Sequence, residues 1–363
     1  TLIHPRCGTS FLLVVVVLSI PIFAIFADQT LPIKILSRLL LVPVVAGISF
    51  ELLRLTAANY HRSWVRWLVA PSLALQHLGR DLPWRHTRDP YRILVSEVML
   101  QQTQVERVIP KYHAFLAQFP DVHALANAPT SAVIMAWQGL GYNRRAIYLQ
   151  RTAQAVVTQY GGAFPRDVAA LRALPGIGAY TSGAIACFAF EQDVAFLDTN
   201  IRRVVIRLWS DPHQPIPAEQ DLIQHADSHI PAGQGWAWNQ AIMELGAVIC
   251  TAKSPKCPHC PVRSDCRDYA ARRDADMALA PLPTPAPRRV AERKDAPFMG
   301  SNRFMRGRII DALRAAPQTR HALQAMLATH GISIDEAKLA TIIAGLVRDQ
   351  LVVVDGDVVR LPL

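Results

Sequence analysis

The chain has 363 residues, room for two or three domains, and a formal net charge of +10. A positive balance of that size favours polyanionic partners, nucleic acid or anionic lipid. Of its six cysteines, Cys7 and Cys187 stand far apart and far from the other four. This excludes a disulfide-stapled scaffold and points to a reducing compartment.

The first elements are apolar. Phe11 to Ala27 is seventeen residues without a charge, and a second run, Leu39 to Phe50, follows Lys34 and Arg38. Each is at or below the roughly 17–25 residues of a membrane-spanning helix. The first run is apolar all round and reads as a span; the second reads as a span or a buried helix. Arg54, Arg62 and Arg66 follow, so a hairpin would leave the rest of the chain in the cytoplasm. Residues 1–65 are therefore read as a hydrophobic hairpin, with membrane association through residues 11–50. The stretch Leu36 to Glu51 resembles the end of a bacterial integral-membrane family of unknown function. A natural fusion and a gene-calling artefact both stay open.

Residues 66–275 read as many short helices. Helical spacing of apolar residues predicts helices over Tyr91–Val108, Ser131–Leu140, Ala146–Tyr160, Val168–Leu174, Thr181–Phe190, Ile201–Leu208 and Trp238–Ile249. Turn signals separate them, among them Gly139-Leu-Gly141, Gly161-Gly162 and Pro175-Gly-Ile-Gly178. No long alternating run suggests a large sheet, so the fold class is all-α. At the end of this region Cys250, Cys257, Cys260 and Cys266 follow the pattern Cys-x6-Cys-x2-Cys-x5-Cys. Four thiolates within seventeen residues can converge on one soft metal centre, zinc or an iron–sulfur cluster. The unequal loops suit a zinc ribbon poorly.

Residues 276–300 are a Pro-rich and basic linker, with four prolines between Pro281 and Pro287. Residues 301–363 then carry helical patterns over Arg303–Ala315, Arg320–His330 and Ile334–Gln350. Two apolar strands around Asp355-Gly356 close the chain, a hairpin signal. Three helices and a hairpin predict a small winged-helix-like module.

Three segments carry chemistry. Leu174 to Ile185 has the form of a helix-hairpin-helix, in which Gly176 and Gly178 let backbone approach a phosphate at a helix N-terminus. Asp198, between an apolar stretch and a helix, reads as an N-cap, or as a fixed carboxylate able to stabilise an oxocarbenium-like centre, or as both. Glu97 sits among Ile93, Leu94, Val98 and Leu100, a setting that raises a carboxyl pKa and suits a general acid.

Taken together, Leu82-Pro-Trp-Arg85, Asp89-Pro-Tyr91, Ser96-Glu-Val-Met-Leu-Gln-Gln-Thr-Gln-Val105, the hairpin at 174–185, Leu197-Asp-Thr-Asn200 and the cysteine loop resemble the MutY-type adenine DNA glycosylases. These belong to the helix-hairpin-helix DNA glycosylase superfamily with an iron–sulfur loop. The resemblance covers about residues 75–268. It implies a monofunctional glycosylase that removes adenine mispaired with 8-oxoguanine or guanine from double-stranded DNA, after flipping the adenine out. It implies a 4Fe–4S cluster on the four cysteines. It gives Glu97 the protonation of adenine N7 and Asp198 the sugar cation. Tyr180 and Asn200 support that site, Trp84 and Arg85 line the adenine pocket, Gln102 and Tyr142 wedge into the stack, and Thr103 contacts the orphaned base. Tyr180 stands where lyase relatives carry a Schiff-base lysine, so strand nicking is expected to be weak or absent.

The chain departs from the family at Asn143, where a second tyrosine is usual, and at Thr199, where glycine is commoner. Its tail is also too short for the family's Nudix-like domain, which puts 8-oxoguanine discrimination in question. The expected protein is a cytoplasmic, nucleoid-associated monomer, membrane-anchored if residues 11–50 insert. The alternatives are a related glycosylase or glycosylase/lyase for another base, and a membrane-anchored DNA-binding protein without catalysis.

Overall fold

The computed structural model describes residues 41, 44, 45, 80–274 and 298–363. The hydrophobic runs expected at residues 11–50 and nearly all of the linker lie outside them. Among the described residues no helix is long and apolar enough to cross a membrane.

Residues 80–274 form a helical body. After a short 3-10 turn at Pro83–Arg85 come α1 (Pro90–Leu100), α2 (Val105–Gln118), α3 (Val122–Asn127), α4 (Thr130–Ala136), α5 (Arg144–Tyr160) and α6 (Val168–Ala173). Then follow α7 (Ala179–Phe190), α8 (Thr199–Trp209), α9 (Glu219–Asp227), α10 (Gly235–Glu244) and α11 (Arg267–Asp274). Local chemistry sets the starts: Asp89, Asp121, Asp167 and Asp198 each accept a backbone N–H as N-cap of α1, α3, α6 and α8. Helix α7 is the central one. Its residues Thr181 to Phe188 are all buried, and it packs on α1 and α6. A helix apolar on every side belongs inside a domain. Burying each large side chain there contributes about 1.5–3 kcal/mol.

One expected helix is two. The pattern over Tyr91–Val108 breaks after Leu100, and Gln102 takes a left-handed φ of 55°. The reason is tertiary. Arg145 of α5 donates to the carbonyls of Val98, Met99 and Gln101, which occupies the acceptors at the end of α1. Helices α3 and α9 have no counterpart in the periodicity, being only 6 and 9 residues long. The end of α10 widens into a π turn at Leu245–Ile249.

Residues 301–363 fold as α12 (Asn302–Ala315), β1 (Gln318–Thr319), α13 (Arg320–Thr329), α14 (Glu336–Arg348), β2 (Val353–Asp355) and β3 (Val358–Arg360). The strands pair antiparallel in the order β1-β3-β2. This is the element order of a winged helix. Strand β1 completes the sheet; at two residues it is too short to leave a pattern in the sequence. The module has its own core of Met305, Ile309, Leu327, Ile343 and Val359, and Ile134 and Ile147 of the body belong to that same core.

Candidate active site

Glu97 lies on α1, three residues before its last residue Leu100, and is 4% exposed. Helix α7, pressed against α1, brings Tyr180 to it, and the Tyr180 side chain hydrogen-bonds Glu97. Burial pushes the Glu97 carboxyl up to about 7, with the Asp198 charge adding to the rise and the Tyr180 hydrogen bond and Arg85 opposing it. Burial likewise holds the Tyr180 hydroxyl protonated far above neutrality. Its ring is fixed edge-on against Phe196.

Asp198 serves two ends at once. Its Oδ1 accepts from the Ile201 amide at 2.6 Å, capping α8, while Oδ2 accepts from Asn200 Nδ2 at 3.2 Å. Burial raises the Asp198 pKa above its ordinary value, and these hydrogen bonds and the Arg203 charge offset part of the rise. Both carboxyls are raised by burial, Glu97 to about 7, while Asp198 alone is held by backbone and side-chain donors that favour its charged form.

From Asp198 a chain of polar contacts runs to the cysteine loop. Arg203, one turn along α8, donates to Asn200 Oδ1 at 2.8 Å, to the Gly246 carbonyl at 2.6 Å and to the Cys250 carbonyl at 2.7 Å. Gly246 is needed for this approach, since a Cβ there would stand 2.8 Å from Asn200 Cβ. Arg207, a further turn on and 6% exposed, donates to Cys250 Sγ at 3.3 Å and to the Thr251 carbonyl at 2.8 Å. Neither arginine stood out in the sequence. Their spacing of four, with Asn200 one turn before, is a signal legible only once Asn200 and Cys250 are known to meet.

Cys250, Cys257, Cys260 and Cys266 line one pocket with Leu208 and Ile249, and none is in a disulfide. Burial pushes the Cys260 and Cys266 thiols up to about 12, so thiolates form there only with a cation bound. Among the described residues no three His, Cys, Asp or Glu side chains stand close enough to hold a single metal ion. Four sulfurs around one apolar pocket fit a larger centre with thiolate ligands.

The remaining expected positions separate into two regions. Trp84 is buried edge-on against Tyr112, and Arg85 pairs with the fully buried Glu244, which Arg80 also holds. Trp84 thus stands in the body's hydrophobic core and Arg85 in a buried ion pair, in electrostatic reach of Glu97. Gln102, Thr103 and Tyr142 lie together along an open groove, outside the Glu97 site. Gly176 has a left-handed φ of 79°, and a Cβ there would come within 2.7 Å of Tyr148 Cβ. Gly178 is the N-cap of α7, has open space where a Cβ would be and leaves the helix N-terminus exposed.

Residues 95–226 match the family described as HhH-GPD superfamily base excision DNA repair protein. Residues 1–87 match a different family, described as protein of unknown function (DUF1385). Residues 80–85 fall within that second match, yet pack into the helical body through Arg80, Trp84 and Arg85. The chain is 39% identical over 274 residues to the adenine DNA glycosylase of Mycolicibacterium smegmatis, covering 75% of this chain and 89% of that protein. It is 38% identical over 291 residues to that of Mycobacterium tuberculosis, covering 77% and 89%. It is 42% identical over 200 residues to the human adenine DNA glycosylase, covering 52% and 36%. Among solved structures, a thermostable thymine-DNA glycosylase superposes with a TM-score of 0.53 at 32% identity, covering 57% of this chain and 97% of that one. The chain belongs to the adenine DNA glycosylases, DNA N-glycosylases of base excision repair.

Proposed function

We propose that this enzyme excises adenine mispaired with 8-oxoguanine or guanine in double-stranded DNA, by hydrolysis and without a lyase step. The observation that carries the reading is a buried Glu97, with a pKa of about 7, within hydrogen-bond reach of Tyr180 and in the field of Asp198. Glu97 in its acid form donates a proton to N7 of the extruded adenine, which makes the base a neutral leaving group. Positive charge then builds on the deoxyribose, and the Asp198 carboxylate stabilises it. Tyr180, protonated at every physiological pH, keeps Glu97 oriented. Asn200 orients Asp198. With tyrosine rather than an amine at position 180, no Schiff base forms at that position.

Trp84 and Arg85 shape the wall behind Glu97, the latter through its pairing with Glu244. Gln102 and Tyr142 enter the base stack, Thr103 meets the orphaned base, and the exposed amides after Gly176 and Gly178 hold a phosphate. Cys250, Cys257, Cys260 and Cys266 would hold a 4Fe–4S cluster, in a pocket that α8 also lines through Val204, Arg207 and Leu208. The enzyme acts as a cytoplasmic monomer, with residues 276–300 a linker to the module at 301–363. Residues 1–65 are the segment that would anchor it to a membrane.

Single-turnover excision on duplexes with adenine opposite 8-oxoguanine, guanine, cytosine and thymine tests base identity and partner together. Fast release opposite the first two and slow release opposite the others is expected. Glu97→Gln is expected to abolish release and leave duplex binding intact; full activity in that variant removes Glu97 from the acid role.

A further inference from the structure

Arg145, the second residue of α5, is half-buried between two turns, Gln101 to Thr103 after α1 and Gly139 to Tyr142 before α5. Its two terminal nitrogens serve different segments. Nη1 donates to the carbonyls of Val98 at 2.8 Å, Met99 at 3.1 Å and Gln101 at 2.5 Å. Nη2 donates to Thr103 Oγ1 at 3.1 Å and to the carbonyls of Leu140 at 2.9 Å and Gly141 at 3.2 Å. The guanidinium carbon lies 5.5 Å from the Trp137 ring centroid and 5.6 Å from that of Tyr142. Trp137 in turn donates from Nε1 to the Gly141 carbonyl at 3.1 Å.

This is a costly place for a cation. The first turn of a helix is the positive end of its dipole, and burial lowers the Arg145 pKa to about 10. None of its hydrogen-bond partners is a carboxylate; six uncharged acceptors and two aromatic faces offset the cost. What the arrangement fixes is the backbone around two strained residues. Gln102 and Tyr142 have φ of 55° and 45°, two of the four non-glycine residues with left-handed φ among the described residues. Such conformations persist only where the surroundings over-determine them. Arg145 bonds the residues on both sides of Gln102 and the two that precede Tyr142. Its bonds to Val98 and Met99 hold the two residues that follow Glu97 on α1.

We propose that Arg145 is a positioning residue for base extrusion: it clips the Gln102 and Tyr142 turns into one rigid wedge and fixes that wedge to the helix that carries Glu97. The inference rests on the adenine-excision reading, in which Gln102 and Tyr142 enter the stack. A wedge opens a base step only if its tips hold their spacing, because a tip that retreats loses the contact that offsets unstacking. The planar fork of a guanidinium serves two segments at once, one through each terminal nitrogen. An ammonium is a single point and can hold only one of them. The clip therefore depends on the shape of the Arg145 side chain and not on its charge alone.

Arg145→Lys and Arg145→Met are made in the full chain, in a Glu97→Gln parent so that the bound base stays attached. The probe is a duplex with 2-aminopurine, which brightens on unstacking, in place of the adenine opposite 8-oxoguanine. Both substitutions are expected to slow brightening about 100-fold, the cost of misplacing a positioned group by about 1 Å. Arg145→Lys keeps the charge, so its affinity for fully matched duplex and the salt dependence of that affinity are expected to equal the parent's. Hydrogen exchange in the free protein is expected to quicken together over residues 100–104 and 139–143 in both variants, while α7 stays protected. Brightening at the parent's rate in Arg145→Lys, or loosening of only one of the two turns, overturns the proposal. So does faster exchange across α7 as well, which marks general loss of the fold. If wild-type protein releases adenine from no duplex while the parent still brightens the probe, the excision reading fails and the clip stands.

Discussion

Glu97 is a carboxyl whose folded pKa, about 7, lies well above its ordinary value of 4.5. It binds its proton more tightly in the folded protein. The associated stability is therefore fully present below about pH 4.5 and is lost as pH rises through 7. The cost above pH 7 is about 3 kcal/mol, taken from the shift at roughly 1.4 kcal/mol per pH unit. Glu97→Gln removes that cost, so urea denaturation is expected to find the variant more stable than wild type at pH 8 and nearly equal at pH 4.5. In the proposed reaction the same protonation governs catalysis. Single-turnover excision is expected to decline above about pH 7 as Glu97 loses its proton, and to decline on the acid side as Asp198 gains one. A rate that stays level from pH 7 to 9 assigns the acid role elsewhere. Asp198→Asn removes the negative charge but keeps a capping oxygen. It is expected to slow excision by about 3 kcal/mol or more, with little change in melting temperature.

At the scale of the element, α8 joins two sites. Its N-cap is Asp198, its first turns carry Asn200 and Arg203, and Arg207 reaches the cysteine pocket. Arg203 contacts Asn200, Gly246 and Cys250, which in the proposed reaction makes it a positioning residue. Arg203→Gln is expected to lower the single-turnover rate about 10–100-fold, as outer-shell changes commonly do, with duplex affinity retained and partial recovery in Arg203→Lys. Equal losses of affinity and rate would point to general loosening of the fold. Helix α7 depends on its entry turn. Gly176→Ala must place a side chain at positive φ and against Tyr148, at a cost of about 1–3 kcal/mol. Duplex affinity is expected to drop in that variant, even at temperatures where circular dichroism finds it folded.

At the scale of the whole molecule, the module is held to the body by an apolar seam, not by charge alone. Ile134 of α4 and Ile147 of α5 share a core with Ile309 and Ile310 of α12. Arg314 adds bonds to the Ile134 carbonyl. Ile147→Asp buries an unpaired carboxylate in that seam. Hydrogen exchange is expected to speed up across α12 and the Tyr142 loop while α7 stays protected. Loading of the cysteine pocket is the second global test. Purified protein is expected to be yellow-brown, with iron and acid-labile sulfide in equal amounts; a colourless zinc-bearing preparation rejects the cluster.

Glu97, Asp198, Tyr180 and the four cysteines are legible in the order of residues, because each stands in a local pattern whose residue types are unusual for its position. The helices α5, α7, α8 and α10 are legible for a related reason, since period and caps act within a turn or two. What Arg145 does to the end of α1 is not legible, nor the bond from Arg207 to Cys250, nor the seam that sets Arg303 over Tyr142. Each joins residues more than forty positions apart, and a guanidinium reads alike on a surface and in a core. Sequence alone determines which groups are present and which helices can form. Only packing decides which carboxyl loses its water, and so which one carries the proton at neutral pH, because desolvation belongs to the whole surrounding core.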